Sequence, residues 1–187
     1  MKIAFTGQRP KDLVGYDEAK YQQFLTQLEN ILARYGEHTE FICGGAQGFD
    51  QLAFEAALRL KRRYPDVKIH LYVPFRGQES QWLAHGYFSQ DMYNRQKNSA
   101  DTVKYISDIT SGSDYSAIVR AMYARNEAMV RDADIVIALY SQDDWRTHKG
   151  GTSSCMRYAY GKKPIYQLKF TKDNGVLLCS GEPTLIQ

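Results

Sequence analysis

Short apolar runs alternate along the chain with longer stretches in which apolar residues recur every three or four positions. The runs are KIAFTG at 2–7, TEFICGG at 39–45, VKIHLYVP at 67–74, TVKYIS at 102–107, DIVIALYS at 134–141 and KPIYQLKF at 163–170. Each is rich in β-branched or aromatic residues, which predicts strand. Several are almost continuously apolar, as expected of parallel strands covered on both faces. Between them, Tyr21, Phe24, Leu25, Leu28, Ile31 and Leu32 have helical spacing and predict a helix over 17–35, stopped by Gly36. A second helix starts near Asp50, with Leu52, Ala53, Ala56, Ala57 and Leu60 on one stripe, and closes before Pro65. Further helices are predicted over 80–97, over 115–132 after SGSD, and over 151–160, stopped by Gly161.

Strands and helices in alternation predict an α/β fold, Rossmann-like, with three layers and a mostly parallel sheet. Near the C-terminus, YQLKFTKDNGVLLCSG sets Asp-Asn-Gly between two strand-like runs, a hairpin signal. An antiparallel hairpin is therefore expected at a C-terminal edge. The 187 residues, without repeat or linker, predict one domain over 1–187.

In open parallel sheets, ligands bind beyond the carboxyl ends of the strands. The loops there read TGQRP, GGAQGFD, PFRGQES and SQDDWRTHKGGTSS. Gly44, Gly45 and Gly48 give bare backbone where a helix must begin, and Asp50 lies at or near its N-cap. Gly150, Gly151 and Thr152 repeat the arrangement at a later helix start. The unpaired first-turn amides of such helices suit an anion such as a phosphate. Gly7 and Arg9 belong to the first loop. Neither glycine stretch ends in GK[ST] and neither is GxGxxG, so a P-loop and a conventional dinucleotide fingerprint are absent. On the helix before the fifth strand, Arg125 could fork onto a phosphate or pair with Glu127 or Asp114. Asn126 is its neighbour. Trp145, in a polar loop, and Trp82 are candidates for stacking on a base.

A net charge of +3 neither points to nucleic acid nor removes it as a partner. Three cysteines without CxxC argue against a disulfide framework and a zinc site, and the four histidines have no metal-ligand spacing; no metal is expected. The start has no signal-peptide pattern, and no apolar stretch reaches the ~20 residues that span a bilayer. A cytoplasmic location without membrane association is expected.

Taken together, GGAQGFDQLAFEAAL, RNEAMVRDADIVIAL and GGTSSCMRYA resemble the SLOG superfamily, which holds the Smf/DprA DNA-processing proteins, the YpsA-like proteins and the Lonely Guy nucleotide hydrolases. PFRGQESQW and RNEAMV look most like the YpsA-like branch. The resemblance covers about residues 1–170. It implies a Rossmann-like fold and a pocket for a nucleotide or ADP-ribose-like ligand, with no required cofactor. It puts Gly44, Gly45, Gly48 and Asp50 in one phosphate-side loop and Gly150, Gly151 and Thr152 in the other. It also implies a functional role for Arg125. The hydrolases of that group carry a catalytic Glu after Gly-Thr-x-x, where this chain has Cys155; Glu127 and Asp50 are the other carboxylates to consider. The expected function is therefore binding or sensing of a nucleotide-derived small molecule. The alternatives are N-glycosidic hydrolysis of a nucleotide, with Arg125 orienting it, and DNA binding of the DprA type. Relatives in the superfamily often dimerise, so a homo-oligomer is an open expectation.

Overall fold

The computed structural model describes residues 1–186. Its strands and helices run β1 (Lys2–Gly7), α1 (Gln22–Ala33), β2 (Glu40–Cys43), α2 (Phe49–Arg63), β3 (Lys68–Val73), α3 (Gln90–Ser99), β4 (Thr102–Tyr105), α4 (Tyr115–Asp132), β5 (Ile135–Leu139), α5 (Gly151–Ala159), β6 (Ile165–Leu168), β7 (Phe170–Asp173), β8 (Val176–Cys179) and β9 (Thr184–Leu185). Seven strands form one sheet in the order β4-β3-β2-β1-β5-β6-β9. Neighbours are parallel except β9, which pairs antiparallel with β6.

The apolar strand runs have a direct cause. Alternate side chains of one strand enter different cores. Ile3, Phe5, Phe41, Ile69 and Ile137 pack with α1, α2 and α3, while Ala4, Ile42, Val136 and Ala138 pack with α4 and α5. The result is the expected three-layer α/β fold.

Two details refine the expectation. The C-terminal hairpin forms around a left-handed Asn174-Gly175 turn, but β7 and β8 make a separate two-stranded sheet. That sheet lies against α1, where the Cys179 N–H donates to Gln27 Oε1 at 2.8 Å. The antiparallel edge of the main sheet is β9. The helix predicted over 80–97 begins only at Gln90, because Gly86 and Phe88 take positive φ and Ser89 caps the helix by accepting from the Met92 N–H. Residues 18–21 form a short 3-10 turn ahead of α1.

Asp101 ties the far edge together. Its carboxylate accepts from Lys61 Nζ at 2.6 Å and from the Ile69 N–H at 2.8 Å. Burial pushes its pKa up, but these partners outweigh burial and hold it below the usual carboxylate range. Such a group gives stability that is present above its unfolded pKa, ~3.9, and lost as pH falls through its depressed folded value. Asp101→Asn should lower stability at pH 7 by about 1–2 kcal/mol. Urea midpoints taken from pH 7 down to about pH 2 should show a shallower acid decline than in the wild type; equal slopes would contradict the assignment.

Candidate functional site

The chain runs outward from β1 to β4, then crosses back to place β5 on the other side of β1. Loops leaving β1 and β5 at their carboxyl ends must diverge there, which opens a crevice. The structure has a cavity of about 570 Å³ at that point. Its walls are the end of β1 and the segment after it (Gly7, Gln8, Arg9, Lys11), Ala46 before α2 and Asp50 in its first turn, one face of α4, and the β5–α5 segment from Tyr140 through His148 to Ser153.

The α5 wall is a helix start with bare backbone. Gly150 is the N-cap and provides no side-chain cap. The first-turn amides therefore have no partner within the helix. Apart from its chain neighbours and its own helix backbone, no atom lies within 4 Å of the place a Gly151 Cβ would occupy. Thr152 Oγ1 donates to the Gly7 carbonyl at 2.7 Å, and Asn126 Nδ2 donates to the Gly151 carbonyl at 3.4 Å. These bonds join α5 to β1 and α4 around the cavity.

The α2 wall is built differently. Gly48 has φ +98, and its would-be Cβ lies 2.4 Å from the Gln8 carbonyl oxygen, to which the Phe49 N–H donates at 3.1 Å. The would-be Cβ of Gly44 would meet the Arg125 guanidinium, and that of Gly45 the Tyr93 ring at 2.8 Å. None of these three glycines lines the cavity. Their bareness accommodates protein groups: the first loop, Tyr93 and Arg125. Among the phosphate-side residues expected in this loop, only Asp50 reaches the cavity wall.

Arg125 is 5% exposed and Asp50 7% exposed. Arg125 Nη1 donates to the Gly44 carbonyl, Nε donates to Asn126 Oδ1 at 2.9 Å, and Nη1 lies 3.6 Å from Asp50 Oδ2. The ionic partner of Arg125 is thus neither Glu127 nor Asp114. Burial raises the Asp50 pKa; Arg125, Arg9 and the Ala46 N–H oppose the rise without cancelling it.

Neither tryptophan lines the cavity. Trp145 is 3% exposed, packs on Tyr160 at 5.5 Å between centroids, and has Arg146 over its ring. Arg157 draws this polar loop onto α5 by donating to the Trp145 and His148 carbonyls at 2.9 and 2.7 Å. Trp82 packs edge-on to Tyr93, away from the cavity. The aromatics that line the cavity are Tyr115, Tyr123 and Tyr140. Tyr115 is 82% exposed. Tyr115, Val119, Met122 and Asn126 recur along α4 at helical spacing and line the cavity together. The sequence signal was present, since these positions lie off the buried stripe of Ala121, Arg125, Ala128 and Met129.

Cys155 is on the buried face of α5 and is not part of the cavity wall. Burial pushes its thiol up to about 12, against a hydrogen bond with the Thr6 hydroxyl. Asp143 pairs with Lys169 at 2.9 Å, and Asp144 accepts from the Tyr140 hydroxyl at 3.0 Å. Among the described residues no group of three or more His, Cys, Asp or Glu is placed to hold a metal. No helix among them is long and apolar enough to cross a membrane.

The chain resembles several known proteins. The uncharacterized SPbeta prophage-derived protein YoqJ of Bacillus subtilis (strain 168) is 30% identical over 143 residues, covering 73% of this chain and 78% of that protein. A UPF0398 protein of Lacticaseibacillus casei (strain BL23) is 41% identical over 85 residues, 43% of this chain and 44% of the relative. The UPF0398 protein YpsA of Bacillus subtilis (strain 168) is 33% identical over 84 residues, 43% of this chain and 47% of the relative. The matches to these two UPF0398 proteins thus span just under half of each. The X-ray structure of DNA processing protein A (DprA) from Streptococcus pneumoniae superposes with a TM-score of 0.53 at 13% identity, over 94% of this chain and 52% of that one. That likeness is one of fold. The family model for YpsA, described as the YspA SLOG family, matches residues 3–173, and the chain belongs to that family.

Proposed function

We propose that the protein binds a nucleotide-derived anion in the cavity between β1, α4 and α5. One observation carries this reading: the uncapped start of α5 opens onto a cavity that also holds Arg9, Lys11 and Lys149. Free helix amides and the positive end of the helix dipole favour a phosphate. The Tyr115–Val119–Met122 face of α4, with Tyr115 exposed and the other two half-buried, offers an apolar surface for a base. The cavity size suits a small-molecule ligand. Membership of the SLOG family and the DprA-like fold agree with a nucleotide-related role. Binding is favoured over cleavage because the residue at the position of the hydrolases' Glu is a buried thiol outside the cavity, Glu127 does not line it, and Asp50, which does, is buried against Arg125.

The test is calorimetric titration with nucleoside monophosphates and ADP-ribose, on the wild type and on Gly151→Asp. Position 151 does not have a positive φ and has open space around it, so the fold tolerates the new side chain. A carboxylate in the first turn should hold or raise stability by about 0.5 kcal/mol. The same carboxylate should weaken anion binding at least tenfold. Unchanged affinity in Gly151→Asp would remove α5 as the anion site, and no binding by any probe would remove the proposal.

A further inference from the structure

We infer that Asp50 accepts hydrogen bonds from the sugar hydroxyls of the ligand, so that the cavity selects ribonucleotides with a free vicinal diol over deoxyribonucleotides. This rests on the binding reading above and adds a specificity residue to it.

Asp50 is the buried carboxylate of the cavity wall; Asp12, the other carboxylate there, is exposed. An ionised carboxylate has about four acceptor positions. The Ala46 N–H donates to Asp50. Arg125 stands at 3.6 Å and directs its hydrogen bonds to the Gly44 carbonyl and Asn126 Oδ1 instead. The guanidinium therefore supplies charge near Asp50 without filling its lone pairs.

Gln8 lines the same cavity beside Asp50. The Gln8 carbonyl accepts from the Phe49 N–H, which brings this residue against the start of α2, next to Asp50. The open lone pairs of Asp50 in this wall call for donors on the ligand. A phosphate has none when ionised and would be repelled by Asp50. A pair of hydroxyls supplies two. The cavity thus divides its labour: the anion goes to the α5 amides and the cations of its rim, and the hydroxyls go to Asp50.

The experiment titrates the wild type with the four common ribonucleoside 5′-monophosphates, each beside its 2′-deoxy and 2′,3′-dideoxy forms. A ribo form should bind about tenfold more tightly than its deoxy form, with a further loss for the dideoxy form. Asp50→Asn keeps the shape but loses the charge that strengthens these bonds, so the ribo preference should shrink several-fold while the phosphate contribution, read from the matching nucleoside, stays. Equal binding of ribo and dideoxy forms, with the nucleoside failing to bind, would overturn the diol assignment and leave the anion site standing. Binding by none of the ribo forms would overturn both. The wild-type ratio needs no variant, so it decides the matter even if Asp50→Asn folds poorly.

Discussion

Gly48→Ala is expected to lose roughly 3–5 kcal/mol of folding stability, the sum of a backbone cost and a steric cost. The backbone cost follows from φ +98 and ψ −132, a region open to glycine and strained for any L side chain. The steric cost follows from the Gln8 carbonyl oxygen only 2.4 Å from the new Cβ, with the Arg9 backbone at 3.0 Å. Neither obstacle is a flexible side chain that could swing aside. Relief would require the loop after β1 to move off α2, breaking the Phe49 N–H bond to Gln8 and displacing a wall of the cavity. Urea unfolding measures the loss as a fall in midpoint at constant slope. Gly86→Ala is the control: φ is +104 there, but nothing lies within 4 Å of the added carbon. It should cost about 1–2 kcal/mol, the backbone part alone. Similar losses in the two variants would show that the close approach of the loop to α2 has no energetic weight.

Arg125→Ala is the second large effect, with an expected loss of about 3–5 kcal/mol. The loss comes from what is left behind. Asp50 keeps its burial without its nearest cation, and the Gly44 carbonyl loses its donor. For a domain of this size the melting temperature should fall by about 10 °C. The effect depends on pH with a definite sign. Burial already raises the Asp50 pKa above its ordinary value, and removal of Arg125 raises it further. A group with a raised folded pKa contributes stability that is full below its unfolded pKa, ~3.9, and lost as pH rises through the folded value. The gap between variant and wild type should therefore widen from pH 4.5 to pH 8. Adding Asp50→Asn to Arg125→Ala should recover part of the loss, because it removes the stranded charge. A pH-independent gap, or no recovery in the double variant, would show that Arg125 acts only through its packing.

The element pattern was legible because burial on two faces leaves a local mark. β1 spans Lys2–Gly7 and α4 spans Tyr115–Asp132, as the periodicity indicates. α3 was misread at its start because a left-handed Phe88, buried beside Tyr21 and Tyr87, interrupts a sequence that is otherwise compatible with helix. The burial of Trp145 is not legible because a polar loop does not announce that Arg157, on the helix that follows, will fasten it there.

The glycine loops show the same division more sharply. Their positions at two helix starts were plain in the sequence, but their roles were not. At α5 the bare backbone faces open space, while at α2 it is taken up by Gln8, Tyr93 and Arg125.

By itself the sequence determined the alternation of strand and helix, the three-layer class, the hairpin turn and the family resemblance. Each is written in local periodicity, in turn residues or in short motifs. The tertiary structure decided which loops share a cavity, that Arg125 faces Asp50, and that the tyrosine face of α4 rather than either tryptophan lines that cavity. Those facts depend on β5 lying beside β1, a neighbour far away in the chain, and long-range packing selects that neighbour where no local pattern can.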